Sequence, residues 1–420
     1  MIRTHTRFSK RGAFRWSLAI TLLGAGSVLG GCQFGPGTLP VSSAHYSDAV
    51  RVAQSGQLLV NLVRLRYRDH PVYLSVTSIS TQFELGASAS VDGSIVEDGA
   101  DVLGLGAGVN YSERPTITFG ILSGDVFERE MLEPVSINTI ALLTESGWRA
   151  DRVLRLTVEG LNGLGHASTA SGPTPAEAPE YEEFLEAVTL LQRLSSEGMI
   201  DFELELRERT FSDPISRTQL SGEDLIIAAR EGIEFKRVGG GDEYQPMLEE
   251  RRLVMRVRPE GEHSRDVARL LSLLGLDPSL GRYDIVSRDG ADADIFTTRT
   301  GLSQIVVDTR SLQGVLYYLS HGVRAPEEDA RRGVVTATAA PDGGPFDWDG
   351  LLGGLFRVEH SAARPRDAAV AVRHRGTWFA IADEDETSKS TFLLLRHLFT
   401  LQSGERPSIK PVLTLPVGRG

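Results

Sequence analysis

The hydrophobic and polar positions between residues 79 and 121 alternate with a period of two. Apolar residues hold most odd positions from Ile79 to Val91 and again from Leu103 to Ile121, while small and polar residues fill the even positions. Successive residues of a β-strand face opposite sides, so this period predicts two long strands, each with one apolar face. The acidic connector DGSIVEDGAD, residues 92–101, predicts the turn of an antiparallel hairpin.

Helical spacing of apolar residues flanks this hairpin on both sides. Residues 45–68 predict an amphipathic helix that ends before Pro71, because proline disfavours the helical conformation of the residue before it. Residues 125–144, interrupted at Pro134, and residues 149–164 predict two further helices after the hairpin.

Helices and strands follow one another in mixed order in the second half of the chain. Helices are predicted at 180–196, 224–231, 264–274, 311–321 and 387–401, and strands at 201–207, 234–238, 253–257, 304–308, 368–374 and 377–381. Mixed order favours α+β over a doubly wound parallel sheet. The predicted fold class is therefore α+β, with an N-terminal helix and a long antiparallel β-hairpin followed by mixed α/β segments.

Residues 1–31 have the three-part pattern of a lipoprotein signal peptide. A head with five basic residues and no acid precedes an apolar run at residues 17–29, which is shorter than the roughly 20 residues of a membrane-spanning helix. Gly30-Gly31-Cys32 then completes a match to the bacterial lipobox, which predicts cleavage between Gly31 and Cys32 and attachment of a diacylglycerol to the Cys32 thiol. The alternative, an ordinary secretory signal before a chance cysteine, does not explain this order of features.

Cys32 is the only cysteine in the chain. A free thiol is a hazard in an oxidising compartment, and acylation removes it. The likeness to bacterial lipoproteins implies three acyl chains, diacylglycerol and palmitate, on the mature N-terminus, which is enough for stable anchoring. Gln33, where an aspartate usually retains lipoproteins on the inner membrane, implies the outer membrane with the body in the periplasm.

Two segments rich in small residues and proline separate the predicted elements. Residues 32–44 predict a flexible tether, and residues 165–179, GHASTASGPTPAEAP, predict a linker between domains. The predicted organisation is a signal peptide at 1–31, the tether at 32–44, a domain of helix, hairpin and helices at 45–164, the linker at 165–179, and one or more α+β domains at 180–420.

The charge of the mature chain limits its partners. The signal peptide holds five of the 44 Lys and Arg residues and none of the 56 Asp and Glu residues, so cleavage changes the net charge from −12 to −17. Such a surface repels phosphate backbones and anionic headgroups. The sequence therefore predicts no nucleic-acid partner and a bilayer attachment through acylated Cys32, unless a segment inserts.

Familiar catalytic and binding motifs are absent or lack their required spacing. The nearest approaches are Gly104-x-Gly106-x-Gly108, Asp289-x-x-Asp292-x-Asp294, the scattered His360, His374 and His397, and Ser388-Lys389. The three glycines lie inside the strand pattern, and the three aspartates lack the glycine and the glutamate that a calcium loop requires. Arginines surround the histidines, which disfavours a metal dication. Ser388 and Lys389 are adjacent, whereas a Ser/Lys nucleophile pair needs one helical turn between its members. Asp383 to Glu386 suit the positive end of a helix. We predict no catalytic, cofactor-binding or metal-binding residue and favour a protein without enzymatic activity.

Six segments resemble a family of uncharacterised bacterial envelope lipoproteins of the outer-membrane type. They are NLVRLRYRDHPVYLSV (61–76), ERPTITFGILSGDVFEREML (113–132), ESGWRADRVLRL (145–156), SGPTP (171–175), SLQGVLYYLSHGV (311–323) and RGTWFAIADEDETSKSTFLLLRHLFTLQSGE (375–405). They span nearly the whole mature chain. The resemblance implies a lipoprotein and implies no activity, cofactor or catalytic residue.

The sequence leaves three functions open. The favoured one is a lipid-anchored, non-catalytic periplasmic scaffold or interaction protein, whose envelope partner is either a different protein or a further copy of this chain. The alternative is an oligomeric ring whose 79–121 hairpin inserts in a membrane; both strands exceed the roughly 9–11 residues that this requires, but Glu113 and Pro115 interrupt the apolar face. Residues 201–274 read β-α-β-β-α, as in ring-building lipoprotein modules. The third is a cell-envelope hydrolase with paired carboxylates.

The anchor can be tested with Cys32→Ser. We expect the precursor of this variant to stay uncleaved and to carry no acyl chain, because no thiol remains to accept one. Fractionation of labelled cells and the mass of the N-terminal peptide measure both effects. Normal cleavage and membrane sedimentation of Cys32→Ser would contradict the lipid anchor.

Overall fold

The computed structural model describes residues 39–94, 102–172, 178–210, 212–239, 241–288, 302–335, 337–402 and 413–416. The chain divides into two compact units, residues 1–54 and 55–420. The described residues contain α1 (Leu39–Arg66), α2 (Asp125–Leu132), α3 (Ile137–Glu145), α4 (Ala150–Thr157), α5 (Glu182–Ser196), α6 (Gly222–Arg230), α7 (Arg265–Leu273), α8 (Leu312–Ser320), α9 (Glu327–Arg331), α10 (Trp348–Leu352) and α11 (Glu386–Gln402). None of these described helices has both the length and the hydrophobicity needed to cross a membrane.

The strands form three sheets. They are β1 (Tyr73–Ser94), β2 (Val102–Leu122), β3 (Val158–Leu161), β4 (Leu164–Gly165), β5 (Ile200–Thr210), β6 (Ile215–Ser216), β7 (Ile233–Val238), β8 (Glu243–Val257), β9 (Arg282–Ser287), β10 (Gln304–Thr309), β11 (Glu359–Ser361), β12 (Ala368–His374), β13 (Thr377–Ala382) and β14 (Leu413–Pro416). The first sheet has the order β1-β2-β14 and another has the order β11-β13-β12. The large sheet has the order β4-β3-β10-β9-β8-β5, and β6 and β7 also pair with β8.

The predicted α+β class is confirmed. Among the described strands only β9 and β10 pair in parallel, and every other pair is antiparallel. The large sheet, which contains β9 and β10, is therefore not a doubly wound parallel sheet. The β-α-β-β-α order predicted for residues 201–274 is present as β5, α6, β7, β8 and α7, with the short β6 added.

Helix α1 begins at Leu39, six residues before the predicted start and inside the predicted tether. Pro40 explains the difference, because proline is well tolerated in the first helical turn, where its missing N–H would have no partner in any case. The rest of the predicted tether, residues 32–38, lies outside the described residues, as does the signal peptide.

The predicted hairpin is confirmed and is longer than the alternation alone indicated. β1 and β2 pair antiparallel along their whole length with one bulge. Beyond the bulge the register sets odd-numbered residues against odd-numbered residues, for example Ile79 against Ile117. Residues directly opposite one another share a face, so the two apolar alternations lie on the same face of this β1–β2 ribbon.

Strand β14 pairs with residues 116–119 at the base of the ribbon. From the pair Thr81–Pro115 to the pair Ser94–Val102, β1 and β2 pair only with each other in the described part of the chain. At roughly 3.3 Å per residue, this two-stranded section is about 45 Å long.

The large sheet has two chemically different faces. On one face of β5, Phe202, Leu204 and Leu206 follow the buried Ile200 at alternate positions, and all three are partly exposed. The intervening positions of β5 carry charges paired with neighbouring strands: Arg207 donates two hydrogen bonds of 2.9 Å to Asp284 on β9. Similar pairs join Arg256 to Asp201 and Arg282 to Glu205. The charged face is therefore compatible with exposure to solvent, and the apolar face is stabilised when other elements of the chain pack against it.

Two predictions fail between residues 149 and 179. The predicted helix 149–164 ends at Thr157, and the next residues form β3 and β4, because Leu161 pairs with Val307 of β10 in the large sheet. Residues 165–172 are not a linker, since His166 and Ala170 are completely buried. Small residues there allow close packing rather than flexibility. Residues 55–420 cluster as one compact unit, and residues 173–177 of the predicted linker lie outside the described residues.

The core of the larger unit is built from helices in distant parts of the chain. Leu59, Leu62 and Val63 of α1, Val315, Leu316 and Leu319 of α8, and Leu394, Leu395 and Leu398 of α11 are all fully buried. They recur at helical spacing, which places them along one face of each helix. This packing brings residues of both predicted domains into a single hydrophobic cluster.

A close backbone approach at Gly261 gives a stability test. A Cβ at this position would lie 2.6 Å from the carbonyl oxygen of Met199, so Gly261→Ala should force the backbone apart and lower the free energy of unfolding by about 1–3 kcal/mol. Gly222→Ala is the matched control, because a Cβ there meets nothing within 4 Å and should leave stability unchanged or slightly higher. Urea unfolding measures both, and equal stability of the two variants would contradict the packing.

Candidate functional site

An apolar cleft of about 610 Å³ lies on the apolar face of the large sheet. Its floor is formed by side chains from five neighbouring strands: Leu161, Phe202, Leu253, Ile285, Ile305 and Val307. Helices α3, α4 and α5 supply the walls, and Trp148 lies between α3 and α4. Concave sites of this size and character are those that proteins commonly use for small ligands, so this cleft is the candidate site.

The arginines at the mouth of the cleft are paired within the chain. Arg149 donates to Asp151 at 3.0 and 2.8 Å, and this hydrogen bond raises the pKa of Arg149. Arg258 donates to Asp201 at 3.0 Å. Because each arginine already has a carboxylate, the mouth offers little uncompensated positive charge to a ligand.

A buried guanidinium lies close behind β3. Arg310, only 1% exposed, donates to the carbonyl oxygens of Val158 and His166 and, at 3.1 Å, to the hydroxyl of Ser171. Its guanidinium carbon lies 4.2 Å from the centre of the Tyr318 ring. Burial lowers the pKa of Arg310 to about 10, so the group stays charged near neutral pH. Its donors are used to hold the backbone, which is a structural role.

The ring of His166 lies next to this guanidinium, and both of its nitrogens have hydrogen-bond partners. The ring stacks on Phe184 with centroids 4.1 Å apart, and Nδ1 lies 2.8 Å from the Val158 carbonyl oxygen, to which it donates. Nε2 then accepts from the Tyr318 hydroxyl at 3.2 Å. Burial, reinforced by Arg310, lowers the pKa of His166 well below its usual value. A neutral ring with both nitrogens engaged suits packing and not proton transfer.

His321 is buried without a hydrogen-bond partner among the described residues. Its ring lies parallel to Trp348 at a centroid distance of 4.0 Å. Burial, with a smaller effect from the charge of Arg66, lowers the pKa of His321 to about 3. The Nε and one terminal nitrogen of Arg66 also have no partner among the described residues. His321 is therefore neutral at ordinary pH and its burial costs stability.

Ser388 and Lys389 contact two of the aspartates that the sequence analysis assigned to the start of this helix. Asp385 precedes α11 and accepts from the Ser388 N–H at 2.9 Å and from the Ser388 hydroxyl at 2.7 Å. The same hydroxyl accepts from the Arg357 N–H at 2.9 Å, while the Lys389 ammonium donates to Asp383. Serine and lysine thus point to different partners and form no nucleophile pair.

The three histidines of the last third of the chain do not meet at one site. His374 lies 3.0 Å from Asp69, and burial lowers its pKa. His397 instead contacts Trp148, with ring centroids 5.7 Å apart, and His360 lies on the short strand β11. In the part of the chain that the structure describes, no group of three or more His, Cys, Asp or Glu residues could hold a metal ion.

Two further cavities each have two acids in their walls, and these acids have partners. In a cavity of about 400 Å³, Asp308 pairs with Arg288 at 2.5 Å and Glu159 accepts from Ser171 at 2.9 Å. In one of about 330 Å³, Asp349 pairs with Arg324 and Asp385 caps α11. Each of these carboxylates is therefore already engaged within the chain.

Several predicted features lie outside the described residues. These are the cleavage site at Gly31, the lipidated Cys32, and the aspartates 289, 292 and 294. The glycines at 104, 106 and 108 lie within β2, in the pairing predicted from the alternation. They belong to a strand and not to the loop that a phosphate site requires.

No protein-family model, curated protein or solved structure matches this chain. The resemblance to a family of envelope lipoproteins therefore stays a prediction. The arguments for function rest on the chain's own geometry.

The cleft was not predicted from the sequence, although part of its signal was present. The even positions of β5 from Ile200 to Leu206 are apolar and alternate with charges, which indicates one apolar face. A strand pattern gives no information on how completely helices cover that face. The walls come from α3, α4 and α5, whose positions depend on tertiary packing.

The buried His321 predicts a pH dependence of stability. Its pKa is about 3 in the folded chain and 6.5 in the unfolded chain, so between these values the unfolded state binds the extra proton. This difference should lower the free energy of unfolding by about 2 kcal/mol between about pH 7 and pH 5. We expect His321→Phe, which keeps a ring on Trp348, to abolish this part of the loss. Unfolding by urea across this range measures it. His263→Phe, at an exposed position, is the control, and equal slopes for both variants would contradict the prediction.

Proposed function

We propose that this protein is a lipid-anchored, non-catalytic interaction protein on the periplasmic side of the outer membrane, and that its partner is a further copy of itself. The β1–β2 ribbon is the observation that carries this proposal. The predicted lipobox at Cys32 and the acidic mature chain support the location. The partners already held by the acids of two described cavities and by the buried His166 support a role without catalysis.

A ribbon of this length favours association. An isolated two-stranded hairpin is marginally stable in water, because it has few neighbours to pack against. Here fourteen residue pairs, from Thr81–Pro115 to Ser94–Val102, have no third strand among the described residues. A strand edge that no further strand covers readily binds another strand.

The two edges of the ribbon are different, and this determines the mode of association. Among the described strands, β14 pairs with β2 at residues 116–119 and no strand pairs with the outer edge of the rest of β2, while β1 is at the end of the sheet. β1 of one copy can therefore pair antiparallel with the open part of β2 in the next copy. Contacts between two different surfaces repeat from copy to copy, and they close into a ring when the rotation allows.

Insertion of this ribbon in a membrane is the second candidate function. The register supports it, because it sets both apolar alternations on one face over a span longer than the roughly 9–11 residues that a membrane strand needs. Lipid forbids unpaired strand edges, so insertion also requires neighbouring copies. Glu113 and Pro115 on the apolar face favour the first candidate.

Shortening the ribbon tests the proposal. One variant joins Thr81 to Pro115 by Asn-Gly and so removes the free edges; the control joins Ser94 to Val102 by Asn-Gly and keeps every described pair. We expect the full lipidated protein and the control to be oligomers in detergent, and the shortened variant to be a monomer with an unchanged melting temperature. Light scattering after gel filtration measures the mass.

A monomeric full-length protein at micromolar concentration would contradict self-association through the ribbon. Protease treatment of the protein in lipid vesicles separates the two candidates. Cleavage within residues 81–115 of an intact oligomer supports a ribbon in water, and protection that is lost on adding detergent supports insertion.

A further inference from the structure

We propose that the apolar cleft on the large sheet binds a single extended acyl chain, such as the tail of a fatty acid or a lysolipid. This inference is independent of the ribbon and of self-association. It rests on the shape of the cleft, on the chemistry of its lining and on the engagement of its polar groups.

The cleft extends across the large sheet. Its floor crosses β3, β10, β9, β8 and β5, which are consecutive neighbours in the sheet. At about 4.8 Å between strands, the floor is about 19 Å long. A volume of about 610 Å³ over that length gives a mean cross-section of about 32 Å². Such a channel suits one linear chain better than a compact ring system or a pair of chains.

The floor supplies a continuous apolar surface. Ile305 and Val307 are nearly fully buried, while Phe202 at the opposite end is 40% exposed, so one end of the channel opens to solvent. A chain that enters from this end would keep its polar head outside. Its methylenes would lie against aliphatic side chains, and each would contribute about a fourfold gain in affinity.

Several polar groups of the cleft are already engaged with the chain itself. On the walls, the Thr144 hydroxyl donates to the Ala141 carbonyl oxygen at 2.8 Å, and the side-chain oxygen of Gln192 accepts from the Asp151 N–H at 3.4 Å. The mouth arginines are paired as described above. The lining therefore complements an uncharged ligand without hydrogen-bonding groups.

An extended peptide fits this lining poorly. Every peptide unit brings an N–H and a C=O that need partners when buried. The floor is the face of a sheet and the walls are helices, so their backbone groups bond within those elements. A methylene chain has no such requirement, and the acyl chain is the occupant that the chemistry favours.

The experiment uses the full chain carrying Cys32→Ser, so that no acyl group of its own is attached. The probe is cis-parinaric acid, a fatty acid with a fluorescent polyene, titrated in detergent-free buffer. We expect saturable binding of one molecule per chain at micromolar concentration. Energy transfer to the probe should fall in Trp148→Phe, because Trp148 lines the cleft.

A matched pair of variants on α5 locates the site. Ser195 lines the cleft and is half-buried, so Ser195→Phe should fill part of the channel and weaken binding at least tenfold. Thr189 lies exposed on the same helix, and Thr189→Phe should change the affinity by less than twofold. Circular dichroism and melting curves identify any variant that fails to fold. Phe202→Gln, at a half-exposed floor position, then provides a second test.

Competition identifies the ligand class. Saturated fatty acids and lysolipids should displace the probe, with an affinity that rises with chain length and levels off when the chain exceeds the floor. Absence of saturable binding, or equal binding by the two phenylalanine variants of α5, would overturn the proposal. Displacement by an apolar heptapeptide but not by palmitate would replace the acyl chain with a peptide.

Discussion

The buried guanidinium of Arg310 ties together the parts of the chain that build the candidate site. It lies at the end of β10 and binds the carbonyl oxygens of Val158 and His166, and its charge lies over the ring of Tyr318 on α8. A buried cation without such acceptors would be very costly. The segment that follows α4 is therefore fixed against β10, and this sets β3, and with it one end of the cleft floor, in the large sheet.

The same region shows how composition can mislead. Residues 165–172 are mostly small, as in a linker, yet His166, Ala167 and Ala170 are buried because small side chains let the backbone approach Arg310 and α8 closely. The local sequence pattern gives the hydrophobic period of a segment, but it does not show which other elements pack against that segment. For this reason the sequence predicts the long hairpin and the helices around 182–196, 312–320 and 386–402. It wrongly predicts a helix across β3 and the start of β4.

The candidate site was harder to predict from the sequence than the fold was. The apolar alternation of β5 was visible, but the cleft also depends on how α3, α4 and α5 lie over five strands. That arrangement is a property of tertiary packing and leaves no mark in any single segment. The rejection of Ser388-Lys389 as a nucleophile pair, by contrast, followed from helical geometry alone, and the capping contacts of Asp385 agree with it.

Strand β14 comes from residues 413–416 and pairs with residues 116–119, almost 300 positions earlier in the chain. Such a distant contact closes late, because the intervening chain must first be ordered. During synthesis the amino-terminal part emerges first, so β1 and β2 have no third strand until residues 413–416 have been made. A truncated or stalled chain would thus expose the base of the ribbon, and quality-control proteases could distinguish it from a finished molecule by that uncovered edge.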